Sequence, residues 1–367
     1  MNKVFIFLAV LFISSTAFGQ TDSPNLSKMK TIRANSDKVD IRDGNVLNES
    51  AWTIAPAVKP DIFTTQSTRV TFITDLDSIT FNIEPNRTYD FVILLGKDSA
   101  WTQIKSIPSY LETLQRAGGY EQSDTVGLPL FYYETPKNAR MKDLKNYFKL
   151  DSIAGNGDEI SKILNIMYWI HDNIRHDGSN WALAEYDAID LYHYHKATGK
   201  GINCRLLSIA LNEMYLSMGW KSRFVGCYPK DENDQDCHFI NCVWVDSLQK
   251  WIWIDPTFAA YVKDENGVFL GISEVRERLI DGRPLVLNED ANWNNQNKQT
   301  KEEYLMNYMA KNLYWIEAPV KSMFNPESRY RNNVNTYVSL LPVGYVRSNM
   351  ENMGTITHDP EYFWQKP

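Results

Sequence analysis

The stretch 201-GINCRLLSIALNEMYLSMGW-220 decides how the rest of the chain is read. Leu207, Ala210, Leu211, Met214 and Met218 recur at the three- and four-residue spacing of one buried helix stripe. Gly219 stands where a left-handed C-terminal stop is expected. Cys204 lies outside that stripe, where a glycine-led loop turns into the helix. A helix start carries partial positive charge and unpaired N–H groups, which stabilise a thiolate and can receive an oxyanion. Cys204 is therefore either a nucleophile, half of a disulfide, or a packed thiol.

Three strands are predicted after this helix, at 221–228, 237–245 and 251–254. The short polar turn Asp246-Ser247-Leu248-Gln249-Lys250 makes a hairpin of the last two. That hairpin brings His238, at the start of one strand, near Asp255, at the end of the next. An imidazole within reach of the Cys204 thiol would hold an ion pair and protonate a leaving group, and a carboxylate on its other nitrogen would orient it. Upstream, Ile160, Ile163, Leu164, Met167, Ile170 and Ile174 predict a further amphipathic helix, starting near Asp158 after Gly155-Asn156-Gly157.

The 367 residues, 43% apolar and 23% charged, allow two globular domains with a core that needs no disulfides. A net charge of -7 and no cluster of Lys and Arg argue against nucleic acid as a partner. Residues 1–19 read as a secretory signal peptide: Lys3, an apolar run over 4–13 too short to span a bilayer, and Ala17-Phe18-Gly19 before Gln20. A secreted or periplasmic protein is expected, without a membrane span. No cysteine follows the cleavage site, so no lipid anchor is expected. In that compartment Cys204, Cys227, Cys237 and Cys242 raise a disulfide question.

Residues 20–37 are polar and read as a linker. From 38 to 120 the chain reads as a small β-sandwich module. Val70 and Phe72, then Ile79, Phe81 and Ile83, then Tyr89, Phe91 and Ile93 alternate at period two, with breaks at Asp75-Leu76-Asp77 and Glu84-Pro85-Asn86. Its segment TFITDLDSITFNIEPNRTYDFVILLGKDSAWTQI resembles an N-terminal module of secreted Bacteroidetes proteins. The core is assigned to 121–290, and 291–367 to a C-terminal extension packing on it, with a helix over 302–313 and a strand over 336–343.

The segments KGINCRLLSIALNEMYLSMGWKSRFVGCYP and CHFINCVWVDSLQKWIWIDPTF together resemble the transglutaminase-like superfamily, whose architecture is shared with papain-type thiol proteases. The matching positions are Gly201, Cys204, Gly219-Trp220, Arg223, Val225, His238, Trp251 and Asp255-Pro256-Thr257. The preceding NIMYWIHDNIRHDGSN is similar to the family's helix and loop before the cysteine. The resemblance covers about 155 to 275. It implies an α+β fold with the cysteine helix packed on an antiparallel sheet, Cys204 as nucleophile, His238 as base and Asp255 as orienting acid. No cofactor and no metal are expected.

Taken singly, a cysteine beside an apolar stripe packs, a strand histidine is a satisfied polar group, and an Asp before Pro forms a turn. Their joint order favours chemistry. Cys237 and Cys242 depart from the family pattern, and Cys227 linked to either would be structural. A zinc site of Cys204, Cys237, His238 and Cys242 is disfavoured, because Cys237 and His238 fall on opposite faces of one strand. His193 and His195 have spacing that could align them like a metal pair, though no third ligand is nearby. Relatives use a group upstream of the cysteine as second oxyanion donor, for which Trp181 and Tyr194 are candidates. The acidic residues between Asp231 and Asp236 read as a solvated hairpin tip.

The expected reaction is attack of Cys204 on an amide carbonyl to give a thioester. Water then makes the protein a peptidase or amidase of peptide or peptidoglycan-type substrates, and an amine makes it a transamidase that crosslinks through glutamine. The reading from another class is a non-catalytic binding protein that keeps the fold, motivated by 11 Trp and 20 Tyr that could form stacking surfaces.

Overall fold

The computed structural model describes residues 28–57, 59–122, 125–328 and 335–367, so the expected signal peptide lies outside the described residues. The chain divides into two compact units, Met1–Ile107 and Pro108–Pro367.

The first unit is built by the period-two pattern. Its strands are β1 (Lys30–Ala34), β2 (Lys38–Asp43), β3 (Val46–Thr53), β4 (Asp61–Thr65), β5 (Arg69–Ile73), β6 (Ser78–Asn82), β7 (Thr88–Leu95) and β8 (Asp98–Ser106). They form two four-stranded sheets in the orders β1-β7-β8-β4 and β3-β2-β5-β6. Alternate side chains of each sheet point inward: Phe72 of β5 meets Phe91 of β7 with ring centroids 4.9 Å apart, while Thr71 and Thr80 pair on the outer face. This is a β-sandwich. Two boundaries differ from the sequence reading. The segment read as a linker contains β1, which pairs in parallel with β7 and buries only Ile32 and Ala34, too short an alternation to stand out from its polar neighbours. The module ends at Ile107, not 120: Ser109 and Glu112 form a capping box that starts the helix Tyr110–Gln115, whose Leu114 is buried in the core of the second unit.

The second unit is α+β. Its sheet holds β9 (Ser222–Tyr228), β10 (His238–Val245), β11 (Lys250–Ile254), β12 (Trp315–Pro319), β13 (Tyr337–Leu340) and β14 (Thr355–Thr357), in the order β11-β10-β9-β12-β13-β14. All neighbours are antiparallel except β13 and β14. Side chains alternate between two cores, so both faces are covered. Phe224, Phe239, Val243 and Ile252 join α1 (Glu159–Asn173), α2 (Ala188–Thr198) and α3 (Cys204–Met218); Val225, Ile240, Trp253 and Ile316 join α4 (Ile272–Asp281). The segment 291–367 is not an extension on the core but half of its sheet: β12 occupies the edge that the β9–β11 meander leaves open. Its sequence Trp-Ile-Glu-Ala-Pro hides the strand, because Glu317 is held inside by Tyr228 and Ser339.

Candidate active site

Cys204 is the first residue of α3, whose Asn203 cap accepts the Leu206 N–H at 3.0 Å. The cap is fixed by the strand-like segment before it. Ile202 bridges His176 in parallel, with Asp177 N–H donating to the Ile202 carbonyl at 2.8 Å and Ile202 N–H to the Arg175 carbonyl at 2.9 Å. Gly201 is needed for this approach: a Cβ there would lie 2.7 Å from the Arg175 carbonyl oxygen and 2.8 Å from Asp177 Cβ. As the first helical residue, Cys204 presents a backbone N–H that the helix itself does not satisfy. The helix that the Leu207 stripe predicts is thus observed with its cysteine at the positive end.

His238 and Asp255 meet because of register. Asn241 pairs with Ile254, so Asp255 lies beyond the pair, on the same face as His238 and diagonal to it. His238 Nε2 and Asp255 Oδ2 are 2.7 Å apart, both side chains buried. Asp255 Oδ2 also accepts the Tyr304 hydroxyl at 2.6 Å, and Oδ1 accepts the Thr257 N–H at 2.8 Å. Tyr304 in turn accepts from the Trp253 indole at 3.2 Å. The rings of Phe258 and Tyr308 flank the imidazole at 5.5 and 5.2 Å. The carboxylate is fully hydrogen-bonded and dry, which anchors the ring by its Nε2 side.

Burial pushes the Cys204 thiol up, but the imidazoles of His176 and His238 favour its thiolate more and bring it down to about 6. Burial works against the His238 imidazolium, and Asp255, with the Cys204 thiolate, reverses this and lifts it to about 10. Both shifts favour a thiolate beside an imidazolium. The other thiols move the opposite way: burial raises Cys237 to about 11, Cys242 to about 12, and Cys227 well above the ordinary range. Of the four thiols, Cys204 is the one shifted toward the thiolate.

The three residues expected to carry chemistry are therefore brought together. The disulfides left open by the sequence are absent, and all four cysteines are free. Register explains it. Cys227 pairs with His238 and Cys242 with Arg223, four rungs apart, while Cys237 points to the face opposite Cys227. Of the two candidate oxyanion donors, Trp181 is 53% exposed, and Tyr194 accepts a hydrogen bond from Asn180 Nδ2 at 3.1 Å. His193 and His195 lie on helix α2 rather than a strand, so two-residue spacing splays them; His193 meets the Tyr147 hydroxyl and His195 the Lys200 carbonyl. Among the described residues no group of three His, Cys, Asp or Glu is placed to hold a metal. The acidic tip is held rather than free, since Lys311 Nζ bonds Asp234 at 3.0 Å and Asp236 at 2.7 Å. Sequence reasoning missed His176 and Tyr304, each reaching the site from a distant segment.

A cleft of about 550 Å³ opens beside Cys237, lined by Tyr228, Trp315, Glu317, Tyr337 and Arg347. Tyr228 and Trp315 stack at 4.1 Å. Arg205, the residue after Cys204, lies over Phe239 and Tyr337 and is clamped by Glu327, tying this cleft to the start of α3.

Residues 148–256 match the family model of the transglutaminase-like superfamily. A solved structure described as a "Putative Cysteine Protease" from Cytophaga hutchinsonii is similar at 18% identity and a TM-score of 0.26, over 46% of this chain and 55% of that one. No curated protein matches the chain. Among the described residues no helix is long and apolar enough to cross a membrane.

Proposed function

We propose that this chain, whose residues 148–256 match the family model of the transglutaminase-like superfamily, is an exported thiol hydrolase of peptide or peptidoglycan-type amides. Cys204 is the nucleophile, His238 the acid–base group and Asp255 the carboxylate that orients it. The observation that carries the reading is geometric: Cys204 opens α3 at its positive end, and Asp255 holds the buried imidazole of His238 at 2.7 Å, an arrangement that brings the thiol down and lifts the imidazole. The thiolate attacks the carbonyl carbon, and the carbonyl π pair moves to oxygen. As the C=O re-forms, the C–N bond breaks and the amine leaves with the proton from His238. The thioester is then opened by water, which gives a proton back to His238, releasing the acid and the free thiol. The stacked Tyr228–Trp315 pair and the polar groups beside it suit an extended peptide, with or without sugar attached. Export rests on the signal peptide expected over 1–19, and hydrolysis on the abundance of water in that compartment.

The test is the mass of products when peptides and cell-wall fragments are incubated with the protein and with Cys204→Ala. Products heavier by one water, absent with Cys204→Ala, are expected. Coupled amine in the product would make the protein a transamidase, and equal product profiles from both proteins would reject the chemistry.

A further inference from the structure

The ring of His176 acts on the Cys204 thiol but takes no part in the proton transfers above. Its Nδ1 accepts the indole N–H of Trp293 at 2.9 Å. An indole nitrogen only donates, so this bond places the ring proton of the neutral imidazole on Nε2. Nε2 is buried and has no hydrogen-bond partner of good geometry, although the ring acts on the Cys204 thiol. A buried N–H donor left open at a nucleophile is costly unless a reacting atom fills it.

The backbone of His176 is clamped as firmly as its ring. Its N–H donates to Asn294 Oδ1 at 2.8 Å, and its carbonyl accepts from Asn294 Nδ2 at 3.1 Å. Trp293 and Asn294 belong to a small hairpin, Asn292–Trp293 paired with Asn297–Lys298. Its turn residues Asn294 and Asn295 have φ of 54° and 56°, the left-handed conformations of a tight hairpin turn. On its other side His176 bridges Ile202, two residues before Cys204. Three independent contacts thus fix one N–H beside the sulfur.

We propose that His176 Nε2–H is the second donor to the oxyanion formed when Cys204 attacks a carbonyl, with the Cys204 backbone N–H as the first and Trp293 as the positioning residue that fixes the tautomer. The proposal rests on the thiol-enzyme reading. No proton is transferred by His176: as Sγ bonds to carbon and the π pair moves to oxygen, the N–H hydrogen-bonds the new O⁻, and it releases when the C=O re-forms. The site therefore holds two imidazoles with different duties. His238, held by Asp255, gives and takes a proton, and His176 keeps its Nε2 proton and only donates a hydrogen bond, the arrangement that electrostatic preorganisation favours.

Two reagents separate these duties. Acetylation by p-nitrophenyl acetate passes through an oxyanion, whereas alkylation by iodoacetamide does not. The ratio of the two rates at one pH cancels the thiolate fraction that both share. In His176→Ala the ratio of acetylation to alkylation should fall by about 10²-fold, the usual loss for one oxyanion donor. Trp293→Phe should lower the ratio in the same direction, and His176→Gln, whose amide can still donate, should keep more of it than His176→Ala. An unchanged ratio overturns the proposal, whether both rates hold or both fall together. If the wild type shows no p-nitrophenolate burst that depends on Cys204, the thiol-enzyme reading fails and takes the proposal with it. A normal wild-type burst retained by His176→Ala removes the proposal alone.

Discussion

The two units bury different chemistry. Among the described residues the polar side chains buried in the sandwich are threonines, Thr65, Thr74 and Thr102, around a core of Phe72, Phe81, Phe91, Val39 and Ile41. The α+β unit buries Arg223, Glu213, His238, Asp255 and Asn241 as well. A buried charge costs several kcal/mol, roughly, unless paired and hydrogen-bonded, so the second unit gives up stability that the first keeps. Some of that cost holds structure: Arg223 Nε donates to the Tyr133 hydroxyl and its guanidinium lies 3.8 Å from the Phe131 ring centroid. The part around Asp255 instead holds His238, whose imidazole acts on the Cys204 thiol. Substitution should therefore lower activity in one unit and stability in the other.

The largest effect is expected at Asp255. Asp255→Asn keeps the shape but removes the charge that lifts His238 and offers the ring an amide in its place. A fall of about 10⁴-fold in Cys204 acetylation is expected, the size seen when such a carboxylate is neutralised. The pH dependence of alkylation sharpens the test. In the wild type the iodoacetamide rate should rise through pH about 6 as the thiol ionises, and acetylation with a leaving amine should fall again through about 10 as His238 loses its proton. Without the Asp255 charge the imidazolium is weakened, so the alkylation midpoint should move up toward the ordinary thiol range. A midpoint that stays at about 6 in Asp255→Asn would show that His238 owes little to the carboxylate.

In the sandwich the comparison predicts the reverse. Phe72 is fully buried and meets Trp52, Phe63 and Phe91 edge to face, at 6.2, 5.4 and 4.9 Å. Phe72→Ala should cost about 3–5 kcal/mol through lost transfer and cavity energy, read by hydrogen exchange of the β5 and β7 amides. The acetylation-to-alkylation ratio at Cys204 should not change. A loss below about 1 kcal/mol would mean that the aromatic cluster collapses into the gap.

What the sequence made legible follows the range over which each signal acts. The α3 stripe, the sandwich alternation and the β10–β11 hairpin are local patterns, and each is observed; the order of Cys204, His238 and Asp255 could be read because one helix and one hairpin place all three. Strand β1 was hidden by a short alternation, and β12 by a buried Glu317 and a terminal proline. His176 and Tyr304 were missed for another reason. Neither lies in a periodic pattern; His176 is delivered by a bridge to Ile202, and Tyr304 by a π-helical turn, Glu302–Met309, that carries its hydroxyl to Asp255. The signals present were Gly201, whose missing side chain admits the His176 segment, and the Asn294-Asn295 turn that clamps it.

That glycine gives the smallest and most selective test. Gly201 does not occupy the left-handed region, so its need is contact alone: an added Cβ would meet the Arg175 carbonyl oxygen at 2.7 Å and the His176 carbonyl carbon at 2.8 Å. These are backbone atoms in a paired segment and cannot swing aside as a side chain tip would. Gly201→Ala should cost about 1–3 kcal/mol by overpacking. It should also push residues 175–177 away from the start of α3. His238 is held from the opposite side by Asp255 and stays in place, so alkylation should persist while the acetylation-to-alkylation ratio drops several-fold, in the direction of His176→Ala. If alkylation falls as far as acetylation, the close approach at Gly201 positions the helix start itself rather than the His176 donor.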